Sequence, residues 1–555
     1  MSRTFTFSLL SLRFFILTAI CSLLQLGILV ENSQAAHVYH VAPHGNDAHA
    51  GTIKKPFRTI QKGQDVVQKI IAKGLNTDVT VFLHQGTYRR KSPLIFDIKD
   101  SGTKKYRVTY SNYKNDKVVI SGGREIKGWK QLSNGNWQVF LPEVKAKKWN
   151  FRELFVNGKR CIRARFPNKG YLRIEKAGTD RRTNFTFQPK DILLKEAGLN
   201  TELVFLHDWS ISRVKVKLID HKKNVLTVAN AIGSAAKHYK IDHFEKHPRY
   251  YLENHISFLD RPGEWFLSRA TGLLTYRPRK SEAIKKSSVV APVLSYLLVV
   301  KGKATKPVQN IHFKGITFEH SNWLLPANGL AAVQAAHYEA RNNSKKIGGP
   351  RVPIPAAVAI KDAFDCKFDK CEVKHLGGSG IEFQEGCKNC VVSNSLLADI
   401  SANGIMVGHD CTGIQLKNNR VKNTGRQFFG SVGIWIGLAN YITVANNKIH
   451  SMPYTGISVG WKWDSKPTSC HHNIIENNHI HHVMQTLSDG GGIYTLGRQP
   501  GSVLRKNQIN SIPINAGRAG SNGIFMDQGS AQFLVEQNNI YDIAASPIRF
   551  NRVEE

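Results

Sequence analysis

A Gly-Ile pair returns six times in the second half of the chain, and this repeat constrains the fold more than any other feature. The pairs stand 23 to 36 residues apart, and the residue two positions after each Ile is mostly apolar. Such alternation has the two-residue period of a strand with one buried face. Short strands recurring at this interval predict a solenoid, in which each coil buries its apolar column against the next coil. The pairs are Gly380-Ile381, Gly404-Ile405, Gly433-Ile434, Gly456-Ile457, Gly492-Ile493 and Gly523-Ile524.

Asparagines recur about fourteen residues after several of these pairs. Asn tolerates left-handed backbone angles, which suits tight turns between the sheets of a coil, and its amide can stack along the coil axis. The Leu-x-x-Leu-x-Leu pattern of leucine-rich repeats is absent, and the spacing does not fit the blades of a β-propeller. We therefore predict an all-β fold, a right-handed parallel β-helix. The asparagines are Asn418-Asn419, Asn446-Asn447, Asn477-Asn478, Asn507 and Asn538-Asn539.

The first half of the chain predicts a cap and an insertion. Apolar residues after Pro56 recur on one side of a helix, and solenoids need such a cap over their terminal coil. From about residue 126 to 285 the coil spacing fails, which indicates an inserted β-rich subdomain. We divide the chain into a signal peptide (1–35), an N-terminal cap with the first coils (36–125), the insertion (126–285) and the main β-helix (286–555).

The first 36 residues have the order of a secretory signal. Arg3 and Arg13 precede an apolar run over 14–30, and the small residues Ala35 and Ala36 follow. An uncleaved membrane anchor is the alternative, because the apolar run is slightly long for a signal. No later run reaches the 18 apolar residues of a spanning helix. We predict a protein that is secreted, periplasmic or held at the cell surface.

The chain is strongly basic, with a formal net charge of +36. This charge attracts anionic polymers, and solubility explains it equally well. The Lys and Arg are spread along the chain and no nucleic-acid motif accompanies them, so we predict no nucleic-acid partner, which leaves acidic or sulfated polysaccharides or a cell surface as the anionic partners that the charge would attract. Oligomeric state is left open.

No cofactor or metal is predicted. Seven Cys follow the signal, and Cys387-x-x-Cys390 lacks the second half of a zinc site. Cys387 and Cys411 each stand seven residues before an Asn, so we expect their thiols to stack on neighbouring coils. The histidines of one coil have no Cys or acidic partner at ligand spacing; they are His471, His472, His479, His481 and His482.

Four stretches resemble the β-helical enzymes of glycoside hydrolase family 141. This family is similar in architecture to the family 120 β-xylosidases and belongs to the pectin-lyase-like superfamily. The resemblance implies hydrolysis of O-glycosyl bonds in xylan, fucose or pectin side-chain polysaccharides of plants or algae, without fixing the sugar. The stretches are Gly51-x4-Pro56-Phe57, Phe151-Arg-Glu-Leu-Phe-Val-Asn-Gly158 with Arg163-Ala-Arg-Phe-Pro-Asn168, Leu259-Asp-Arg-Pro-Gly-Glu-Trp-Phe266 and Leu487-Ser-Asp-Gly-Gly-Gly-Ile-Tyr-Thr-Leu-Gly497.

The resemblance also implies a catalytic pair, Asp489 and Asp527. Glycoside hydrolysis uses two carboxyl groups roughly 5–9.5 Å apart. On straight adjacent strands these two residues would be offset by seven positions, so we expect Gly490-Gly491-Gly492 to fold the chain back. Burial raises a carboxyl pKa, which favours Asp489 as the acid and Asp527 as base or nucleophile. Alternatively, Asp489 caps a turn and Asp527 is a solvated strand end.

The residue between each repeated Ile and the apolar residue two positions later is aromatic in several coils. We expect Trp435, Tyr494 and Phe525 to project from one face of the stacked sheet and to line sugar subsites; the alternative is that loops cover them. The other substrate-binding candidates are Glu382, His409, Trp461 and Arg498. If Asp489 or Asp527 proves not to be catalytic, Glu382 or Asp464 is the next candidate for that role.

Two other functions fit the fold. A polysaccharide lyase would suit the basic charge, although no clustered acidic run predicts a calcium site. A non-catalytic glycan-binding or surface protein would bind sugar without cleaving it.

Overall fold

The computed structural model describes residues 36–192, 200–341, 347–515 and 517–553; the predicted signal peptide lies outside these described residues. Three long parallel sheets run the length of the described chain and confirm the predicted β-helix. Ile405, Ile434 and Ile457 are paired on neighbouring parallel strands and are fully buried. In the described part of the chain, no helix is both long and apolar enough to span a membrane.

Each complete coil contributes one strand to each sheet. The first sheet contains His37–Val41, Val79–Leu83, Val108–Asn112, Ile311–Lys314, Lys367–Asp369, Val391–Ser393, Gln415–Lys417, Thr443–Ala445, Ile474–Glu476, Arg498–Arg505 and Ala531–Glu536. The second contains Gly86–Arg89, Val118–Ser121, Ile316–Ser321, Glu372–Leu376, Leu396–Ile400, Arg420–Lys422, Lys448–His450, His479–His481, Gln508–Asn510 and Asn539–Ile540. The third contains Leu94–Phe96, Leu298–Lys301, Ala356–Lys361, Ser379–Phe383, Ile405–Val407, Ile434–Ile436, Ile457–Val459, Gly490–Thr495, Ser521–Met526 and Ile548–Phe550.

The repeated asparagines form the turns and a ladder. Asn418, Asn446 and Asn477 have left-handed backbones. The residue after each of them is buried and hydrogen-bonded to its counterpart in the next coil. For example, the Asn447 side-chain amide donates to Asn478 Oδ1 at 2.9 Å. Because buried amides cost free energy unless they are paired, the ladder fixes the register between coils.

A helix of 13 residues, Ile60–Ala72, packs against the first coil. The Thr59 side chain accepts a hydrogen bond from the Lys62 N–H and caps its N-terminus. A Cβ at Gly63 would lie 3.2 Å from the side chains of Val41 and Val81, so glycine permits the close approach. The other helical segments described are Pro142–Lys145 and the 3-10 turns Lys237–Tyr239 and Ile256–Phe258.

Largely antiparallel sheets interrupt the coils, and they have their own hydrophobic cores. One contains Lys159–Arg160, Phe155–Val156, Val289–Pro292 and Gly123–Glu125. Another contains Ile162–Arg163, Glu264–Leu267, Leu273–Tyr276, Trp137–Phe140 and Lys130–Gln131. The largest contains Arg165–Phe166, Arg249–Glu253, Leu172–Ala177, Asn184–Phe187, Val225–Val228, Ile211–Asp220, Glu202–Leu206 and Leu330–Ala331. Two short pairs complete the described strands: Val308–Gln309 with Ala363–Phe364, and His337–Glu339 with Arg351–Pro353.

Buried ion pairs hold this insertion together and tie it to the β-helix. The carboxylates of Glu202 and Glu253 accept hydrogen bonds from Arg152, Arg163 and Arg213. Arg213 also donates to the Gln427 carbonyl of the β-helix, at 2.9 Å from Nη2. All five charged side chains are buried, so each depends on its partners for solvation.

The seven cysteines of the described residues are free and buried. Cys387 and Cys411 interact across neighbouring coils, as do Cys366 and Cys390. The contact with the Cys411 thiol, together with burial, raises the pKa of Cys387 far above its usual range. These thiols therefore pack as small apolar groups in the coil core.

The last described coil contains a strand, Ile548–Phe550, that the sequence analysis did not recognise. It pairs in parallel with Ser521–Met526 and lies over the Met526 coil. The outer side of this coil is apolar and open, with Phe550 63% and Leu534 52% exposed.

Candidate active site

A cavity of about 740 Å³ lies between the insertion and the last coils of the β-helix. The insertion contributes aromatic residues and histidines, the last coils contribute both carboxyl groups and three arginines, and the strand Arg351–Pro353 contributes a fourth arginine. Asp489, Asp527 and Tyr494 line it together. The other lining residues are Trp209, His238, Tyr239, His243, Phe244, Val333, Gln334, Arg351, Trp463, Arg518, Ala519, Gln528, Arg549, Asn551 and Arg552.

Asp489 stands immediately before a strand of the third sheet and has a left-handed backbone, with φ +56°. The expected chain reversal at the glycines is wrong: Gly490–Thr495 is a strand, and none of its three glycines has positive φ. Glycine is needed there for close packing, because a Cβ at Gly490 would lie 2.5 Å from Thr455 Oγ1. The chain turns at Asp489 instead, because aspartate tolerates the left-handed backbone conformation.

Burial and neighbouring negative charges raise the pKa of Asp489 to about 7. Burial is the largest cause, followed by the charges of Asp208 and Asp527; Arg549 and Arg518 act in the opposite direction. The closest cation is Arg549, whose Nη1 lies 3.6 Å from Asp489 Oδ1. Asp489 therefore retains its proton close to neutral pH, as a general acid must.

Asp527 accepts a hydrogen bond at each carboxylate oxygen. The Tyr494 hydroxyl donates to Oδ2 at 2.5 Å, and the Asn551 side-chain amide donates to Oδ1 at 2.7 Å. Burial and the charge of Asp527 raise the pKa of Tyr494 well above its usual value, so the phenol remains a donor. These two donors hold the carboxylate in a fixed orientation at the cavity wall.

A third carboxyl group, Asp208, was missed by sequence reasoning. It lies in the turn between Glu202–Leu206 and Ile211–Asp220 and is fully buried. Its Oδ1 accepts the Arg518 N–H at 2.7 Å, and its carbonyl accepts the Ser488 N–H at 2.7 Å. Burial raises its pKa to about 6. No local motif identifies this residue, because only the packing of the insertion brings it beside Asp489.

The aromatic column is not the exposed surface that we expected. Trp435 and Tyr494 are each 3% exposed and Phe525 is 0% exposed. The strand His337–Glu339 covers part of this face: its His337 ring lies 4.6 Å from the Trp435 ring. Tyr494 reaches the cavity, whereas Phe525 packs behind it at a ring distance of 5.3 Å. The open aromatic faces of the cavity belong instead to Trp463 and the insertion.

The remaining substrate-binding candidates lie outside the cavity lining. Trp461 connects Trp435 to Trp463, with ring distances of 5.2 and 5.0 Å. His409 accepts the Leu438 N–H at 2.9 Å. Burial raises the pKa of Glu382, which accepts a hydrogen bond from Gln384. Arg498 donates to Gln532 at 2.8 Å, and Asp464 pairs with Lys462.

Among the residues that the structure describes, no group of three or more His, Cys, Asp or Glu side chains is arranged to hold a metal. His481 of the histidine-rich coil stacks on His450 of the preceding coil, with the rings 4.8 Å apart and nearly parallel, whereas the neighbouring rings His481 and His482 meet edge to face. Burial and neighbouring positive charge lower the pKa of both His450 and His481 to about 4, so this pair stacks in the neutral form.

Comparison with known proteins agrees with this architecture. Residues 356–544 match the family described as "Right handed beta helix region", and residues 135–279 match the "GH141 insertion domain". A solved structure named "Glycoside hydrolase" has a TM-score of 0.82 and 24% sequence identity, covering 93% of this chain and 96% of that one. "The complex structure of XylC with xylose" has a TM-score of 0.49 and 15% identity, covering 88% and 68%.

One curated protein is similar over a short segment. "Uncharacterized protein YwoF" of Bacillus subtilis (strain 168) is 39% identical over 83 residues, which is 15% of this chain and 15% of that protein. The match therefore spans a small part of that relative, whereas the likeness of fold spans nearly the whole chain. The chain is a GH141-like right-handed parallel β-helix protein.

Proposed function

We propose that this protein is a glycoside hydrolase that uses Asp489 and Asp527 to cleave a plant or algal polysaccharide. One observation carries the proposal: a single cavity holds a carboxyl group whose pKa is raised to about 7 and a second carboxylate bound by two neutral donors. Two carboxyl groups whose environments differ in this way can divide the roles of acid and base.

In the proposed reaction, Asp489 gives its proton to the glycosidic oxygen as the bond from that oxygen to the anomeric carbon breaks. Positive charge develops on the sugar ring, and Asp527 stabilises it. Asp527 then either takes a proton from an attacking water or forms a glycosyl ester that water hydrolyses. Both routes add one water across the bond and differ in the anomeric configuration of the product, which NMR of the fresh product distinguishes.

The substrate class proposed is a xylan, fucose-containing or pectin side-chain polysaccharide, and the site of action is outside the cytoplasm. The family resemblance supports the first part and the N-terminal signal pattern supports the second. Mass spectrometry of the exported protein tests the signal, since a cut after Ala35 would leave Ala36 as the first residue.

Reducing-sugar release across xylans, pectins and sulfated algal polysaccharides tests the activity. New reducing ends without ultraviolet absorbance would support hydrolysis. An unsaturated, ultraviolet-absorbing product would instead identify a polysaccharide lyase, and binding without any new ends would identify a non-catalytic glycan-binding protein.

Asp208 is proposed as a positioning residue that keeps Asp489 protonated. Asp208→Asn removes a negative charge that raises the pKa of Asp489, while the charges of Asp527, Arg549 and Arg518 remain. Activity is lost as pH rises through the pKa of the acid, so this substitution should move the alkaline limb of the pH profile to lower pH. The pH dependence of kcat/KM measures this shift.

A matched control is Asp65→Asn, which removes an exposed negative charge from the N-terminal helix. This substitution should leave the alkaline limb of the pH profile of kcat/KM at the same pH. An unshifted alkaline limb in a folded Asp208→Asn protein would show that Asp208 has no influence on the acid.

A further inference from the structure

Four arginines converge on the proposed active-site cavity. Arg351 comes from the strand Arg351–Pro353, Arg518 from the loop before Ser521–Met526, and Arg549 and Arg552 from the last described coil. The carboxyl groups that line the same cavity are Asp489 and Asp527, and Asp489 is largely protonated below its pKa of about 7. The cavity lining is therefore cationic under conditions in which a general acid would work.

Two of these arginines have acidic neighbours. Arg549 lies 3.6 Å from Asp489, and its guanidinium is 4.5 Å from the centre of the Phe525 ring. Arg518 Nε lies 3.9 Å from Asp208 Oδ2. Because Arg549 and Arg518 lie beside Asp489 and Asp208, these carboxyl groups account for their positive charge, and neither arginine indicates a ligand.

Arg351 and Arg552 are different. Within the described residues, neither side chain has an Asp or Glu oxygen within 4.0 Å, and both are exposed. The charge of Arg351 acts on His238 and Tyr239, two other residues of the cavity wall. These guanidinium groups therefore leave donors and positive charge available to whatever enters the cavity.

An aromatic face lies beside one of them. The Arg351 guanidinium is 5.7 Å from the centre of the Trp463 ring, and both residues line the cavity. An aromatic face can pack against the apolar C–H face of a sugar. A sugar on Trp463 would bring its substituents within reach of Arg351, and a guanidinium binds the oxygens of a carboxylate or sulfate through paired hydrogen bonds.

We propose that the sugar unit bound in this cavity carries an anionic group, a carboxylate or a sulfate ester, which Arg351 and Arg552 recognise. The inference rests on the proposed glycan-binding role of the cavity and specifies its substrate class. A neutral sugar would offer neither guanidinium group an anionic partner, and a cationic sugar would be repelled by all four arginines.

Binding is tested on the full chain carrying Asp489→Asn, so that no probe is consumed. Two matched pairs of probes separate the anionic groups: a sulfated fucan with its desulfated form, and polygalacturonate with its carboxyl-reduced form. We expect one anionic probe to bind at least about tenfold more tightly than its neutral counterpart, and Arg351→Gln and Arg552→Gln each to weaken that binding by about tenfold. Which pair shows the preference identifies the sulfate or the carboxylate.

Arg58→Gln is the control, because it removes one exposed positive charge at the opposite end of the β-helix. It should leave binding unchanged; equal losses in all three variants would mean nonspecific attraction to the net charge and would overturn the proposal. Equal affinity for charged and neutral probes would overturn it as well.

The two proposals fail separately. Cleavage of a neutral polysaccharide that is unaffected by either arginine substitution would reject the anionic substrate and leave hydrolysis standing. Arginine-dependent binding of an anionic probe, with no new reducing ends from any of the xylans, pectins and sulfated algal polysaccharides, would reject hydrolysis and leave the recognition standing.

Discussion

Replacing either Asp489 or Asp527 with asparagine is expected to reduce turnover of the cleaved polysaccharide by about 10²–10⁴-fold, the usual contribution of general acid or base catalysis. In Asp489→Asn the side-chain amide has no acidic proton to give to the leaving oxygen. In Asp527→Asn the side chain keeps its shape but carries no charge to stabilise the oxocarbenium-like transition state. Initial rates of reducing-end release by the purified variants measure the loss.

Substrate binding should persist in both variants, because the aromatic and arginine residues of the cavity are unchanged. Glu382→Gln is a matched control: its carboxyl is also buried and its pKa is also raised, but it lies outside the cavity lining. Near-wild-type activity in a folded Asp489→Asn or Asp527→Asn protein would remove that residue from the proposed mechanism.

Glu253→Gln is expected to destabilise the fold by about 3–5 kcal/mol, the range for breaking a buried ion pair. Three buried guanidinium groups would then face only the Glu202 carboxylate. Urea unfolding measures the change in free energy. Glu143→Gln is the control, because the exposed Arg124–Glu143 pair at 2.8 Å contributes about 0–1 kcal/mol. A loss below about 1 kcal/mol for Glu253→Gln would mean that water or a rearrangement solvates the arginines.

The same network makes stability depend on pH. Burial alone would raise the pKa of Glu253, but Arg213 and Arg163 outweigh it and lower the pKa below its usual value. A carboxyl group with a lowered pKa contributes stability above its unfolded-state pKa of roughly 4.3. That contribution is lost as the pH falls through the lower folded-state value.

The repeat determined the β-helix by itself. A residue type that returns once per coil, such as the Ile column or the second Asn of each turn, meets its own copy in the next coil. The spacing of a repeated residue in the sequence therefore predicts its contact in the next coil, and for this reason the burial of Ile405 and Ile434 could be predicted. The pair Asp489 and Asp527 was suggested by the motifs of the family and not by the repeat, whose register offsets the two residues by seven positions on straight adjacent strands.

Where the coil spacing fails, no repeat specifies the register between strands, and only the tertiary structure decides which residues come into contact. The strand His337–Glu339 packs over Trp435, so a residue that alternates as if exposed is buried. Asp208 precedes Asp489 by 281 positions in the chain, and its charge acts on Asp489. The contacts that bring the two residues together follow no repeating pattern. The proton affinity of Asp489 and the charge of its cavity arise from this packing, because burial and neighbouring charges set a pKa and neither is a property of the local sequence.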